Sequence, residues 1–360
     1  MRVTGLLISC VLGLWASNVG ASTNVVASGF VAVTTGSGSM QISAFKLDGT
    51  TERRLTKGPA NHHYPSLSRD GTQLLYTGDE GGRDEIYRIN LAESAVPIQI
   101  TRPPLIANSA SWSPDGRSIV YSGLVPGAPA YQIFVADPNG SKPVQLTHTA
   151  DSGNAQPVFS PDGARIAYIN GREATRLGTN GSTVTGIENR IWVMAADGSA
   201  AAPLTPGPLD AYPSWLDANT VLFARSDFLS DSSRIVSVRL DGGERVQSPP
   251  NQYFVEPKPL PDGRSYGATM EFGSELHLVK VFRMDGARLT EPRTSEFVIE
   301  RFAIPEADGS SFTIAWILAV SRTDQPARTP PYAVLGLGIA GLMILVLFAG
   351  ASYRRRVEKN

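Results

Sequence analysis

A pattern of Ser-x-Asp-Gly followed by an alternating apolar strand recurs along the chain. It reads Ser113-Pro114-Asp115-Gly116 before Ile119-Val120-Tyr121, and Ser68-Arg69-Asp70-Gly71 before Leu74-Leu75-Tyr76. Ser160-Pro161-Asp162-Gly163 stands in the same way before Ile166-Ala167-Tyr168. Pro261-Asp262-Gly263 and Asp308-Gly309 continue the series. Between Asp162 and Asp262, Ser214-Trp215-Leu216-Asp217-Ala218-Asn219 aligns with the same motif, with Ala-Asn in place of Asp-Gly. Asp-Gly is turn chemistry, because Gly accepts positive φ and Asp hydrogen-bonds its own backbone. The six anchors return about every 45 residues, with one longer interval.

A second anchor lies half a repeat later. It closes a strand in residues 41–49, 85–90, 132–137, 190–198, 234–242 and 278–286, again six times. A short fourth strand ending in Leu-Thr or Ile-Thr follows in five copies, at Thr56, Thr101, Thr147, Thr205 and Thr290; the fifth copy, around Glu244-Arg245-Val246, departs. Four antiparallel strands per repeat, repeated radially, is the arrangement of a β-propeller, in which each sheet buries both faces against its neighbours. The chain enters mid-repeat at Phe30-Val31-Ala32-Val33 and carries an extra half repeat after residue 297. The expectation is therefore an all-β, six-bladed β-propeller of four-stranded antiparallel blades over residues 22–320, with one blade built from both ends. Residues 30–34 and 312–318 both look like the same second strand, which leaves an added edge strand or a degenerate seventh blade open.

Tyr-Pro-Ser-x-Ser-x-Asp-Gly, then Leu/Ile-x-Tyr, then Ile-Tyr/Phe/Trp-Val-x-Asp and Leu-Thr resemble the TolB-type, WD-like propeller repeat over roughly residues 28–320. The Gly-His and Trp-Asp marks of WD repeats are missing. The resemblance implies the propeller fold and suggests protein partners at the cell envelope. TolB proteins themselves carry an α/β domain before the propeller and no membrane anchor. Here the propeller is expected to follow a signal peptide directly and to precede an anchor.

Residues 1–21 read as that signal peptide: Arg2, an apolar stretch, then Val19-Gly20-Ala21 at the cleavage positions. The only cysteine, Cys10, lies inside it, so the mature chain is expected to hold no disulfide and no thiolate metal site. At the other end, residues 333–352 are uncharged. At about 1.5 Å per residue such a helix spans roughly 30 Å, the thickness of a bilayer core. Tyr332 and Tyr353 flank it, and Arg354-Arg355-Arg356 and Lys359 follow. The expected layout is a tether (321–331), a transmembrane helix (332–353) and a basic cytoplasmic tail (354–360), with the propeller outside the cytoplasm. Lys+Arg number 32 against 33 Asp+Glu, which argues against a nucleic-acid partner.

Strand alternation puts both sets of Asp-Gly turns on one face. The loops between second and third strands, and the connections to the next blade, share the other. Function is expected on that second face, where residues 170–188 read as the largest irregular loop. The residues entering each innermost strand, His62, His63, Asn108, Asn154, Asp210, Glu256 and Glu300, form the candidate binding set, expected as a polar ring around the channel mouth. Such a ring suits a cation, a peptide terminus or a sugar.

His148 and His277 are the only other histidines, and His277 is expected in a third strand away from the channel, so three convergent imidazoles are not expected. No Gly-x-Ser-x-Gly elbow and no phosphate loop is present. The sequence predicts no cofactor and favours a protein-interaction or ligand-binding scaffold that takes an envelope protein or peptide. The alternative is a carbohydrate-active or metal-dependent, lyase-like enzyme working at the channel mouth.

Overall fold

The computed structural model describes residues 29–35, 39–46, 52–91, 96–177, 183–227, 230–248, 254–259, 265–272, 276–283, 288–290 and 299–303. Among them the strands form six four-stranded antiparallel sheets. The first sheet comprises β1 (Gly29–Thr35), β2 (Met40–Lys46) and β3 (Glu52–Arg54), and the next β4 (His62–Leu67), β5 (Gln73–Gly78), β6 (Glu85–Asn90) and β7 (Ile98–Gln99). The third is β8 (Ile106–Trp112), β9 (Ile119–Leu124), β10 (Gln132–Ala136) and β11 (Val144–Gln145). The fourth is β12 (Gly153–Phe159), β13 (Arg165–Leu177), β14 (Thr183–Ala195) and β15 (Ala202–Pro203). The fifth is β16 (Asp210–Asp217), β17 (Thr220–Asp227), β18 (Ser230–Arg239) and β19 (Glu244–Val246). The sixth is β20 (Phe254–Pro259), β21 (Ser265–Phe272), β22 (Leu276–Arg283) and β23 (Arg288–Thr290). The fourth member of the first sheet is β24 (Ile299–Ala303), which pairs with β1, so this sheet is built from both ends of the propeller.

Each sheet packs on the next, and β22 of the sixth lies against β24 of the first, which gives the propeller arrangement. The apolar cores lie between sheets. Along β9, Ile119 and Tyr121 pack toward the β4–β7 sheet with Leu75 and Ile86, while Val120 packs toward the β12–β15 sheet with Phe159 and Ile166. Successive strand residues point to opposite faces, and here both faces are core. That is why the second strands read as unbroken apolar runs such as Ile119-Val120-Tyr121. Trp112 and Trp215 lie at these seams, and their indoles donate to the Ser66 and Val158 carbonyls of the preceding sheet at 3.2 and 3.1 Å.

The innermost strands share a kink that the sequence does not announce. Pairing with the second strand slips after His63, Asn108, Ala155, Ala211 and Val255. The next residue, Tyr64, Ser109, Gln156, Tyr212 or Glu256, adopts a left-handed backbone with φ between 51° and 56°. A β-bulge of this kind bends the strand and re-aims its side chains. In three copies the bulge N–H crosses to the preceding sheet: Ser109 to Thr77 Oγ1, Gln156 to Ser122 Oγ, and Tyr212 to Gln156 Oε1, at 3.1–3.2 Å.

Two expectations change. Residues 170–188 are mostly not irregular. β13 and β14 stay in register from Arg165↔Ala195 out to Leu177↔Thr183, so the stretch is the end of a long hairpin arm. The fifth repeat does possess its short fourth strand, β19, although it lacks Leu-Thr. No helix among the described residues is long and apolar enough to cross a membrane. The expected signal peptide (1–21), tether, transmembrane helix and tail, the turns at Asp262 and Asp308, and residues 312–318 lie outside the described residues.

Candidate functional site

Two polar devices recur in the sheets, and they determine which polar groups are left over. The first closes the turn between first and second strands. Ser113 Oγ donates to Asp115 Oδ1 at 2.6 Å, and the same oxygen accepts the Arg117 N–H at 3.0 Å. Ser113 Oγ in turn accepts the Ser118 N–H at 2.9 Å. Ser68–Asp70 and Ser160–Asp162 repeat this arrangement. The serine hydroxyl first, then the backbone N–H, hold all three carboxyls below the usual aspartate value. The glycines that follow, Gly71, Gly116 and Gly163, have φ of 67–71°, which explains their place in the motif.

The second device explains Leu-Thr. The threonine hydroxyl accepts the buried N–H of the third-strand isoleucine: Thr56 for Ile42, Thr101 for Ile86 and Thr147 for Ile133 at 2.8 Å, and Thr205 for Ile191 at 3.0 Å. In the fifth sheet Ser248 does the same for Ile235 at 3.0 Å, so the departing repeat keeps the bond with a different hydroxyl. Thr56, Thr101 and Thr147 pass their own protons to Gln41, Glu85 and Gln132.

The β5–β6 loop, residues 79–84, is where the paired histidines find partners. Asp79 accepts the Asn61 N–H and side-chain amide at 2.6 and 3.0 Å. His62 is buried, with Nε2 2.8 Å from Glu80 Oε1 and Nδ1 3.1 Å from Gln41 Oε1. Burial first, then the Glu80 carboxylate, pushes the Tyr87 phenol up to about 12. His63 turns the other way: its Nε2 is 3.8 Å from Asp84 Oδ2, and its ring meets Tyr64 edge-on. Asn108, fully buried on the neighbouring sheet, donates Nδ2 to the same Asp84 oxygen at 3.3 Å. Asp84 thus gathers His63 and Asn108 across the seam between two sheets. The Asp84 carbonyl also accepts the Ala107 N–H at 3.0 Å.

The seven candidate residues do not make one ring. His62, Asn154 and Asp210 share a register position two before the bulge, His63 and Asn108 the next, and Glu256 is the bulge residue itself. Glu300 falls at the corresponding slip of β24 against β1. His62, Asn154 and Asp210 point into the seams. Asn154 is fully buried, bonded to Gln132 Oε1 and Thr149 Oγ1 and accepting from Asn170. Asp210 is clamped by Arg225 at 2.6 and 2.9 Å. Burial opposes the charge on Arg225, but the hydrogen bonds it donates to the Asp210 and Glu244 carboxylates outweigh it and raise the guanidinium pKa. The described contacts bring His63 and Asn108 together on Asp84. His148 is exposed, and His277 lies in β22 opposite Glu271. No group of three or more His, Cys, Asp or Glu among the described residues is placed to hold a metal ion.

No family model matches the chain. Over 147 residues it is 30% identical to the Tol-Pal system protein TolB of Anaeromyxobacter dehalogenans (strain 2CP-C), a match spanning 40% of this chain and 27% of that protein. Its fold superposes on the TolB structure from Acinetobacter baumannii with a TM-score of 0.59 at 16% identity, covering 78% of this chain and 68% of that one. The putative TolB from Agrobacterium tumefaciens gives 0.55 at 20% identity, covering 74% and 88%. The chain carries a TolB-like β-propeller. The matched segment spans about a quarter of the curated relative.

Sequence reasoning missed the partners that organise the TolB-like propeller's polar residues: Glu80, Asp84, Arg225 and the buried glutamines 41 and 132. A signal for the first two was present. Asp79-Glu80-Gly81-Gly82-Arg83-Asp84 brackets a glycine turn with carboxylates at the second-to-third-strand position, on the same face as His62-His63.

Proposed function

We propose that this protein is an envelope interaction scaffold. In this reading it is a six-bladed TolB-like propeller, held outside the cytoplasm by a single C-terminal membrane span, that offers its loop-bearing face to a protein or peptide. The difference between the two faces carries the proposal. On the turn face, the described Ser-Asp caps are satisfied within their own turns. The other face bears the β13–β14 arm, which continues beyond the last pairing of β13 with β12 at Gly171. The same face holds the Asp84 cluster. A rigid scaffold with one closed face and one projecting face suits binding on the latter. Six four-stranded sheets and closure of β24 on β1 support the blade number, and the TolB likeness supports the envelope setting.

The test is crosslinking in intact cells with the full chain, followed by mass spectrometry. Replacing residues 173–187 by Asn-Gly, a two-residue hairpin turn, should leave the melting temperature unchanged. The same variant should lose a partner that recurs with the unaltered chain. Capture that ignores the arm, or the absence of any recurrent partner, would reject the proposal.

A further inference from the structure

The Asp84 cluster has a chemical bias. Asp84 Oδ2 receives the Asn108 amide N–H and faces His63 Nε2. The Asn108 donor and the His63 Nε2 atom are therefore both turned toward one carboxylate oxygen. Asn108 Oδ1 and His63 Nδ1 are left without a hydrogen-bond partner. With its proton on Nε2, facing the carboxylate, His63 presents Nδ1 as an acceptor. What remains is one negative charge and a set of acceptors, centred on a fully buried asparagine. Leaving a buried acceptor unpaired is costly, and a ligand that donates several hydrogen bonds removes that cost.

The surroundings define the rest of the ligand. Pairing of Ile106 with Leu124 sets the β7–β8 connection beside the β9–β10 loop. Both present apolar groups to solvent: Pro103 and Pro104 on one, Val125, Pro126 and Pro129 on the other. Val125 is 40% exposed. Ala107, bonded to the Asp84 carbonyl, ties this lip to the cluster.

We propose that this mouth binds a primary ammonium group carried on an apolar chain segment, with Asp84 as the charge partner, Asn108 and His63 as further acceptors, and the proline lip under the apolar part. A monocation with three N–H donors matches one carboxylate and a set of spare acceptors. A divalent ion would call for more charged ligands than the single carboxylate here supplies. The ammonium is either a chain N-terminus or a lysine side chain. This inference rests on the loop-bearing face being the interaction face, and it names the group the partner inserts there.

The probes are Leu-Ala-Leu amide with a free amine, its N-acetyl form, and N-acetyl-Leu-Lys-Leu amide, titrated by calorimetry into the full-length protein in detergent. Saturable binding of an ammonium-bearing peptide is expected. The acetylated peptide without lysine should bind about tenfold more weakly or worse. Tight binding of the first probe alone assigns the site to an N-terminus; equal binding of the lysine probe assigns it to a side chain. Asp84→Asn, checked for an unchanged melting temperature, should weaken the ammonium probes about tenfold, whereas Asp151→Asn, exposed on the same face, should not. Equal binding of free and acetylated peptides in the unaltered chain overturns the proposal. So does no saturable ammonium binding, or a folded Asp84→Asn protein that binds normally. Arm-dependent capture without amine dependence would remove this site and leave the scaffold standing. Amine binding without any recurrent partner would do the reverse.

Discussion

Gln41, Glu85 and Gln132 begin or nearly begin the third strands of three sheets, and each accepts the proton of the threonine that caps its sheet. The two glutamines use their amide nitrogens as well, Gln41 on the Gly58 and Ala60 carbonyls and Gln132 on the Thr149 carbonyl. Glu85 has no N–H to offer in that place, and its Oε1 has no partner among the described residues. Burial raises its pKa above the ordinary value of 4.5; the Thr101 hydrogen bond and Arg83 oppose the shift, and Asp84 adds to it. A carboxyl raised on folding stabilises the protein fully below its unfolded pKa, and that contribution is lost as pH rises through the folded pKa. Glu85→Gln removes the titration and supplies the missing donor. Its melting temperature should match the parent near pH 4 and exceed it once the pH has risen through the folded pKa of Glu85, measured by calorimetry at several pH values. Parallel profiles would show that Glu85 is not a buried stand-in for glutamine.

At the scale of the strand and its cap, Thr147 is the clearest test of the second device. Its hydroxyl accepts the Ile133 N–H and donates to Gln132 Oε1, both at 2.8 Å. Thr147→Val keeps the shape and leaves a buried N–H unpaired, at a cost of about 1–3 kcal/mol. Thr147→Ser should recover most of it, read from urea unfolding midpoints. A neutral Thr147→Val would mean the repeat keeps Leu-Thr for another reason. These elements also show what a single sequence can carry. The turns at Asp70, Asp115, Asp162 and Asp217, the third strands and the face on which loops gather were legible, because Asp-Gly and β-alternation leave local marks. The bulge was not, since Tyr64, Ser109, Gln156, Tyr212 and Glu256 share no residue type while sharing a backbone. That hidden slip scattered the expected ring over three register positions. The arm was read as a loop because its Gly and Thr content resembles turn chemistry, whereas its two strands, Arg165–Leu177 and Thr183–Ala195, stay in register end to end. His63 and Asn108 were found, but Asp84, which brings them together, required the fold.

At the scale of the whole molecule, the ring depends on one pairing that joins distant parts of the chain. β24 supplies the innermost strand of the first sheet, with Val31 opposite Ala303 and Ala32 opposite Phe302. The same strand lies beside β4 on one side and β22 on the other. Each sheet buries its faces only against neighbours, so losing β24 exposes the inner edge of β1 and uncouples the first sheet from the sixth. A chain ending at residue 298 should therefore melt at least about 10 °C below one ending at residue 328, a shift of several kcal/mol for a domain of this size. It should also lose cooperativity, because the seams nearest the gap open before the rest. An exposed edge is a template for pairing between molecules, so the shortened chain should associate in a concentration-dependent way by sedimentation. Equal melting temperatures and a monomeric shortened chain would show that the ring closes without β24, and would transfer the role of the sealing strand to residues beyond those described.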